Sequence, residues 1–308
     1  MIKLILSTGN VMSGGPSIIR KTGSTTRSNL ELVNSLRDSF AAAQRDYAPT
    51  SKNPHDATPS CDRLAESWTE HDGQTLHVPR IGWEAAGLRD ERSQYEITVK
   101  LFLLPDTAVA AREQFVHQAL HLVSKELGIQ TIDLLVVSFP GMSFEGNCEW
   151  EADKINAHQG NLEEEVASWR IFEELHRQGI IKRLGVAEFG SEKLGAFISR
   201  TTIPPSVDQI NLRDCCNVPP PLKTLAHKHG VELNVHVDCT DILPRGTLRE
   251  LLGQGPQGAG LLADSAHKNA GLHGEIFPQW VVRYMAFIRD RGVIENKGYF
   301  AGAELVET

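Results

Sequence analysis

The alternation of apolar and polar positions is clearest in the stretch from Tyr95 to Pro140. Between Ile97 and Leu103 the odd positions carry Ile97, Val99, Leu101 and Leu103, while the even ones carry Thr98, Lys100 and Phe102. A period of two marks a strand with two unlike faces. Asp106 is placed to cap the next segment, where Val109, Val116, Ala119, Leu120, Val123 and Leu127 recur at helical spacing until Gly128 stops it. Residues 132–137 form a short apolar run, as in a parallel strand covered on both sides. Strand, helix and strand of these lengths make a right-handed βαβ unit.

The same reading extends along the chain. Strands are expected at 3–6, 183–187, 207–212, 231–237 and 293–294, with an eighth at 75–81 weakened by Pro79. Helices are expected from the Ser28/Glu31 capping box to about residue 44, and at 162–177, 191–200, 221–228, 247–252 and 280–289. Residues 45–75 and 253–275 read as mobile loops and 142–160 as a polar surface excursion. Alternating strands and helices imply an α/β fold, and seven or eight such units imply one (β/α)8 TIM-type barrel domain spanning 1–308 with a degenerate N-terminal part. No GxGxxG follows a strand, so the dinucleotide fingerprint of an open sheet is missing.

Lys100 is the odd residue of its strand. A cation in a core is costly unless paired or hydrated. In a barrel, the aliphatic face would pack on the helices and Lys100 would point inward, near the carboxyl end where active sites lie. The alternative is a lysine snorkelling at a strand edge. Ser138, His236 and Asp238 also fall near strand ends and suggest a nucleophilic triad, although serine at a strand end is commonly just polar. His117 and His121 have a zinc-compatible spacing on their helix, but their neighbours Val116 and Leu120 take the core side.

The 308 residues carry a net charge of -8 with no dense basic run, which argues against a nucleic-acid surface. No apolar stretch is long enough for a signal segment or a membrane span, so a cytoplasmic location is expected. The five cysteines, Cys61, Cys148, Cys215, Cys216 and Cys239, have irregular spacing that suggests reduced thiols.

Two sets of residues resemble known families. Ile97-Thr98-Val99-Lys100-Leu101, Leu127-Gly128 through Asp133-Leu134-Leu135 to Phe139-Pro140, and Trp169 through Glu174 with Gly179 and Gly185-Val186 resemble the aldo-keto reductases, which are TIM barrels. Leu6-Ser7-Thr8-Gly9-Asn10, the segment from Gln209 to Pro220, and Arg291 to Tyr299 resemble the regulatory (modifier) subunits of glutamate–cysteine ligase, themselves degenerate aldo-keto reductase barrels. The first resemblance implies hydride transfer from NADPH, with a tyrosine as proton donor, a lysine held by an aspartate lowering its pKa, and a histidine orienting the carbonyl. Lys100 falls on the lysine position and Ser138 on that of the histidine. The tyrosine and aspartate have no clear counterpart, so both positions read as vestigial and catalysis is not expected. Lys297 is the candidate for holding a dinucleotide phosphate. The second resemblance implies a non-catalytic subunit that forms a heterodimer with the ligase's catalytic subunit and modulates its substrate affinity and its feedback inhibition in glutathione biosynthesis. It needs no cofactor and makes Asn211, Arg213, Cys215 and Cys216 candidate partner contacts, with an intersubunit disulfide under oxidising conditions. The alternatives are a working NADPH-dependent reductase or an NADPH-binding sensor.

Overall fold

The computed structural model describes residues 1–13, 28–48, 61–105, 107–212, 217–238, 241–263 and 271–307. Asp106, Arg213, Cys215, Cys216 and Cys239 lie outside them, as do the side chains of Ser28 and Cys61. Ten strands are described: β1 (Ile2–Ser7), β2 (Glu70–Asp72), β3 (Thr75–Val78), β4 (Tyr95–Leu103), β5 (Ile132–Ser138), β6 (Ile181–Ala187), β7 (Val207–Asn211), β8 (Glu232–His236), β9 (Glu275–Ile288) and β10 (Val293–Val306). The helices are α1 (Ser28–Asp46), α2 (Cys61–Trp68), α3 (Val109–Leu127), α4 (Glu149–Asn156), α5 (Leu162–Arg177), α6 (Ser191–Ile198), α7 (Pro220–His229) and α8 (Thr247–Leu252).

The strands form a single sheet in the order β2-β3-β1-β10-β9-β4-β5-β6-β7-β8. Strands β4 to β8 are parallel and adjacent in chain order, with α3, α5, α6 and α7 among their connections. This is the α/β arrangement of a TIM-type fold, with no pairing among the described residues that closes β8 onto the far edge. The N-terminal part departs from a regular barrel. The β9–β10 hairpin lies between β4 and β1 and is antiparallel to both. Three reversals separate β4 from β1, at β4/β9, β9/β10 and β10/β1, so β1 and its parallel neighbour β3 run opposite to β4–β8.

The period-two pattern of β4 sorts its side chains as expected. Ile97, Val99, Leu101 and Leu103 join Val116, Leu120, Val123 and Leu127 of α3 and Trp169 and Phe172 of α5 in one core. Phe102, on the other face, belongs to a second core built with Leu32, Leu36 and Phe40 of α1 and Leu248, Leu251 and Leu252 of α8. The middle of the sheet is therefore covered on both faces, and the face carrying Lys100 lies under protein. Gly128 ends α3 in the left-handed region at φ 63°, where a side chain would be strained. Asn161 caps α5 by accepting from the amides of Glu163 and Glu164.

Three expectations are corrected. Residues 280–289 are not a helix but most of β9. Trp280, Val282, Tyr284, Ala286 and Ile288 enter the first core while Val281 enters the second, so both faces are apolar and the run imitates a buried helix. Its β-branched and aromatic residues are the signal for strand. Residues 45–75 are not all loop: α2 and β2 lie there, with Trp68 buried at 5.8 Å from the Phe40 ring. Residues 142–160 are not a mere excursion, since Met142 and Phe144 are buried and α4 follows.

Gly302 of β10 faces the Trp280 ring, where a Cβ would fall 2.3 Å from Cε2. Gly302→Ala is expected to lower unfolding free energy by about 1–3 kcal/mol through overpacking. Denaturant unfolding followed by tryptophan fluorescence checks it, and unchanged stability would refute this packing.

Candidate functional site

Pairing of β4 with β9 sets Lys100 directly opposite Arg283 on one face. Two cations so placed repel each other unless they share an anion. Asp238, just beyond β8, supplies it. Its Oδ2 lies 2.8 Å from Lys100 Nζ, and Arg283 donates through Nη1 to Oδ1 at 2.5 Å and through Nη2 to Oδ2 at 2.9 Å. Lys100 is 2% exposed and Asp238 5%. Its ammonium also lies 5.3 Å from the centre of the Phe102 ring.

The chain of charges continues toward the N-terminal part. Arg283 is paired in register with Tyr299 of β10, whose phenol lies within its electrostatic reach. The Tyr299 hydroxyl donates to Glu31 Oε1 of α1 at 2.8 Å, and Lys297 Nζ sits 2.5 Å from the same oxygen. Glu188, after β6, adds a further negative charge near Lys100. Five elements, β4, β9, β10, α1 and the end of β8, are thus tied together by alternating charges.

The electrostatics follow from burial. Burial pushes the Asp238 carboxyl up, but attraction to Lys100 and Arg283 outweighs it and holds the group well below the usual carboxylate range. Burial pulls the Lys100 ammonium down, opposed by Asp238. Burial pushes the Tyr299 phenol well above its ordinary value; Arg283 opposes this and Glu31 adds to it. A reductase donor needs the opposite shift. Tyr299 keeps its proton and gives it to Glu31 in a hydrogen bond.

His236 completes the surroundings. Its Nδ1 accepts from the Asp238 amide at 3.0 Å, so Nε2 carries the hydrogen, toward Glu188 Oε1 at 2.7 Å and the Gln209 carbonyl at 3.2 Å. Glu188 is held at φ 66°, a strained conformation for a non-glycine residue, and accepts from the Asn211 amide at 3.3 Å. Asp208 is fully buried, and burial pushes its carboxyl well above the usual range.

The expected site residues fare differently. Lys100 is in a site, but its aspartate comes from Asp238, which the resemblance had left without a counterpart. Ser138 is buried at the end of β5, and His236 accepts the Asp238 amide at Nδ1 while its Nε2 faces Glu188 and the Gln209 carbonyl rather than Ser138, so the Ser138–His236–Asp238 triad is not assembled. Lys297 does not offer a free ammonium for a phosphate, being held by Glu31. Asn211 is buried and donates from Nδ2 to the Asp238 carbonyl at 3.0 Å, so it braces the cluster. His117 and His121 lie on the exposed side of α3, and Cys148 is an exposed free thiol. Arg213, Cys215 and Cys216 lie outside the described residues. Arg283, Tyr299 and Glu31 were missed; the alternation hidden in β9 was the signal for Arg283.

The aldo/keto reductase family model matches residues 71–268. Among curated proteins, a putative glutamate–cysteine ligase regulatory subunit of Schizosaccharomyces pombe is 29% identical over 71% of this chain and 75% of its own. The glutamate–cysteine ligase regulatory subunit of Homo sapiens is 24% identical over 70% of this chain and 68% of its own. Among solved structures, an aldo/keto reductase from Brucella melitensis superposes with a TM-score of 0.35 at 18% identity, over 53% of this chain and 54% of that one. That superposition spans only about half of either chain.

Asp238→Asn strands two buried cations and is expected to cost about 3–5 kcal/mol of stability. Lys100→Met is expected to cost less, because Asp238 keeps its bonds to Arg283. The Asp238 contribution is complete above the unfolded carboxyl value of about 4 and is lost as pH falls toward the depressed folded value. Urea melts should show the native protein losing stability on acidification more steeply than Asp238→Asn; equal slopes would refute the pairing.

Proposed function

The chain belongs to the aldo/keto reductase family, and from that premise we propose that it is a non-catalytic member acting as the regulatory subunit of glutamate–cysteine ligase. The observation that carries this reading is the state of Lys100. Its ammonium is buried against Asp238, with Arg283 standing between that pair and the phenol of Tyr299. A lysine so engaged has no phenol to acidify, and the phenol present is shifted the wrong way for donating a proton near neutral pH. Ser138 at the histidine position adds to the loss. The relatives named as regulatory subunits support the role from an independent direction.

In this role the chain binds the catalytic subunit as a heterodimer and favours one of the partner's conformations. That raises substrate affinity and weakens feedback inhibition by glutathione. Such an effect requires different binding to the two states of the partner. Joining glutamate to cysteine belongs to the partner. No described helix is long and apolar enough to cross a membrane, which accords with action in the cytoplasm.

Two aldo/keto reductases among the solved structures are complexes with NADP and NADPH, and a dinucleotide of that kind needs a cation for its phosphates. Among the described residues, Lys297 does not offer a free charge to a phosphate, its ammonium being paired with Glu31 at 2.5 Å. An NADPH-dependent reductase or sensor is therefore the second reading, favoured only by the lysine–aspartate pair at Lys100.

Co-purification with the cognate catalytic subunit tests the proposal. The expected result is co-elution as a heterodimer and a lower KM for glutamate in the presence of this chain. Failure to co-elute, together with NADPH-dependent aldehyde turnover abolished by Lys100→Met, would overturn it in favour of the reductase.

A further inference from the structure

A cavity of about 410 Å³ opens away from the Lys100 cluster, between the loop after β1, the segment preceding β4 and the C-terminal turn of α3. Its charged lining is balanced, with Arg80 and Arg89 against Glu126 and Glu295. Neither guanidinium has an acidic partner among the described residues; Arg80 lies 4.9 Å over the Tyr47 ring, and Arg89 is exposed. Glu126 has no cation among the described residues either. Its one hydrogen bond comes from the Tyr284 hydroxyl at 3.4 Å, and burial pushes its carboxyl up. Glu295 uses Oε2 to accept from Tyr95 at 2.5 Å.

Asn296 supplies an independent sign of a missing partner. It lines the same cavity and is only 9% exposed, and its Oδ1 accepts no hydrogen bond among the described residues. A buried acceptor left unpaired costs about 1–3 kcal/mol and calls for a donor. Beside it stands a desolvated carboxylate without a cation. Both wants are met by an ammonium group, which has three donors and a positive charge. The two guanidinium groups at the cavity suit a carboxylate. A purely anionic ligand is opposed by Glu126 and Glu295, and a purely cationic one by Arg80 and Arg89.

We propose that this cavity binds a small zwitterion of the amino-acid class, its ammonium against Glu126 and Asn296 and its carboxylate against Arg80 and Arg89. The volume falls in the range of small-molecule sites, about 300–1,000 Å³, and holds a single amino acid or a short peptide. The cavity is distinct from the buried cluster around Lys100, none of whose members is in its lining. The inference stands on this geometry and does not depend on the regulatory role.

Isothermal titration of the full chain with each proteinogenic L-amino acid and with glycylglycine, up to about 10 mM, tests it. Saturable binding of at least one probe is expected, with its deaminated and decarboxylated analogues not binding. Glu126→Gln and Arg89→Ala are each expected to weaken binding about tenfold or more, since each removes a charge-assisted contact. Arg89 is exposed, so its variant remains informative if Glu126→Gln misfolds. No saturable binding by any probe, binding that persists in the deaminated analogue, or binding unchanged in the folded variants would overturn the proposal.

Discussion

One carboxylate, Asp238, holds two cations that the sheet register forces side by side. Antiparallel pairing of β4 with β9 puts Lys100 and Arg283 opposite each other, an arrangement that would drive the strands apart in a low-dielectric interior. With Asp238 between them the repulsion becomes a three-way attraction, and the hairpin can lie against β4 along its length. The register then determines the rest. It brings Tyr299 beside Arg283, and Tyr299 reaches Glu31, which ties α1 over the same face. Replacing such a cluster with apolar side chains of similar volume is often neutral for stability, whereas removing one member is costly. The cluster is best understood as fixing how the hairpin docks.

That docking has a consequence for chemistry. In a hydride-transfer site of this family, a lysine is paired with an aspartate in order to act on a phenol. Here Lys100 is paired with Asp238, and the same carboxylate is shared with the Arg283 guanidinium. Helices α1 and α8 cover the same face with an apolar layer. The ion pair contributes to architecture, and the neighbouring Glu188, His236 and Asn211 brace it by hydrogen bonds. The chain keeps the family's parallel strands while the ion pair at Lys100 is committed to holding the hairpin in place.

Much of this was legible in the sequence because local physics wrote it there. Gly128 stops α3 in the left-handed region, and that stop was readable from glycine after a periodic helix. The two faces of β4 were readable from alternation, which also singled out Lys100 as the one cation in an aliphatic frame. The partner of Lys100 was not readable, since Asp238 lies 138 residues away and no spacing rule links them. Arg283 was lost for a second reason. Both faces of β9 are buried, so the contrast that separates a strand from a helix disappears. The reversed direction of β1 depends on the inserted hairpin, a property of topology that no local pattern carries.

The central claim is that the Lys100 ammonium is spent inside the protein. Reductive methylation of the native chain, followed by mass spectrometry of peptides, measures this directly. Lys182, whose side chain is 57% exposed, should be dimethylated readily while Lys100 stays unmodified until the protein is unfolded. Dimethylation of Lys100 at a rate comparable to that of Lys182, with the fold intact, would contradict the account.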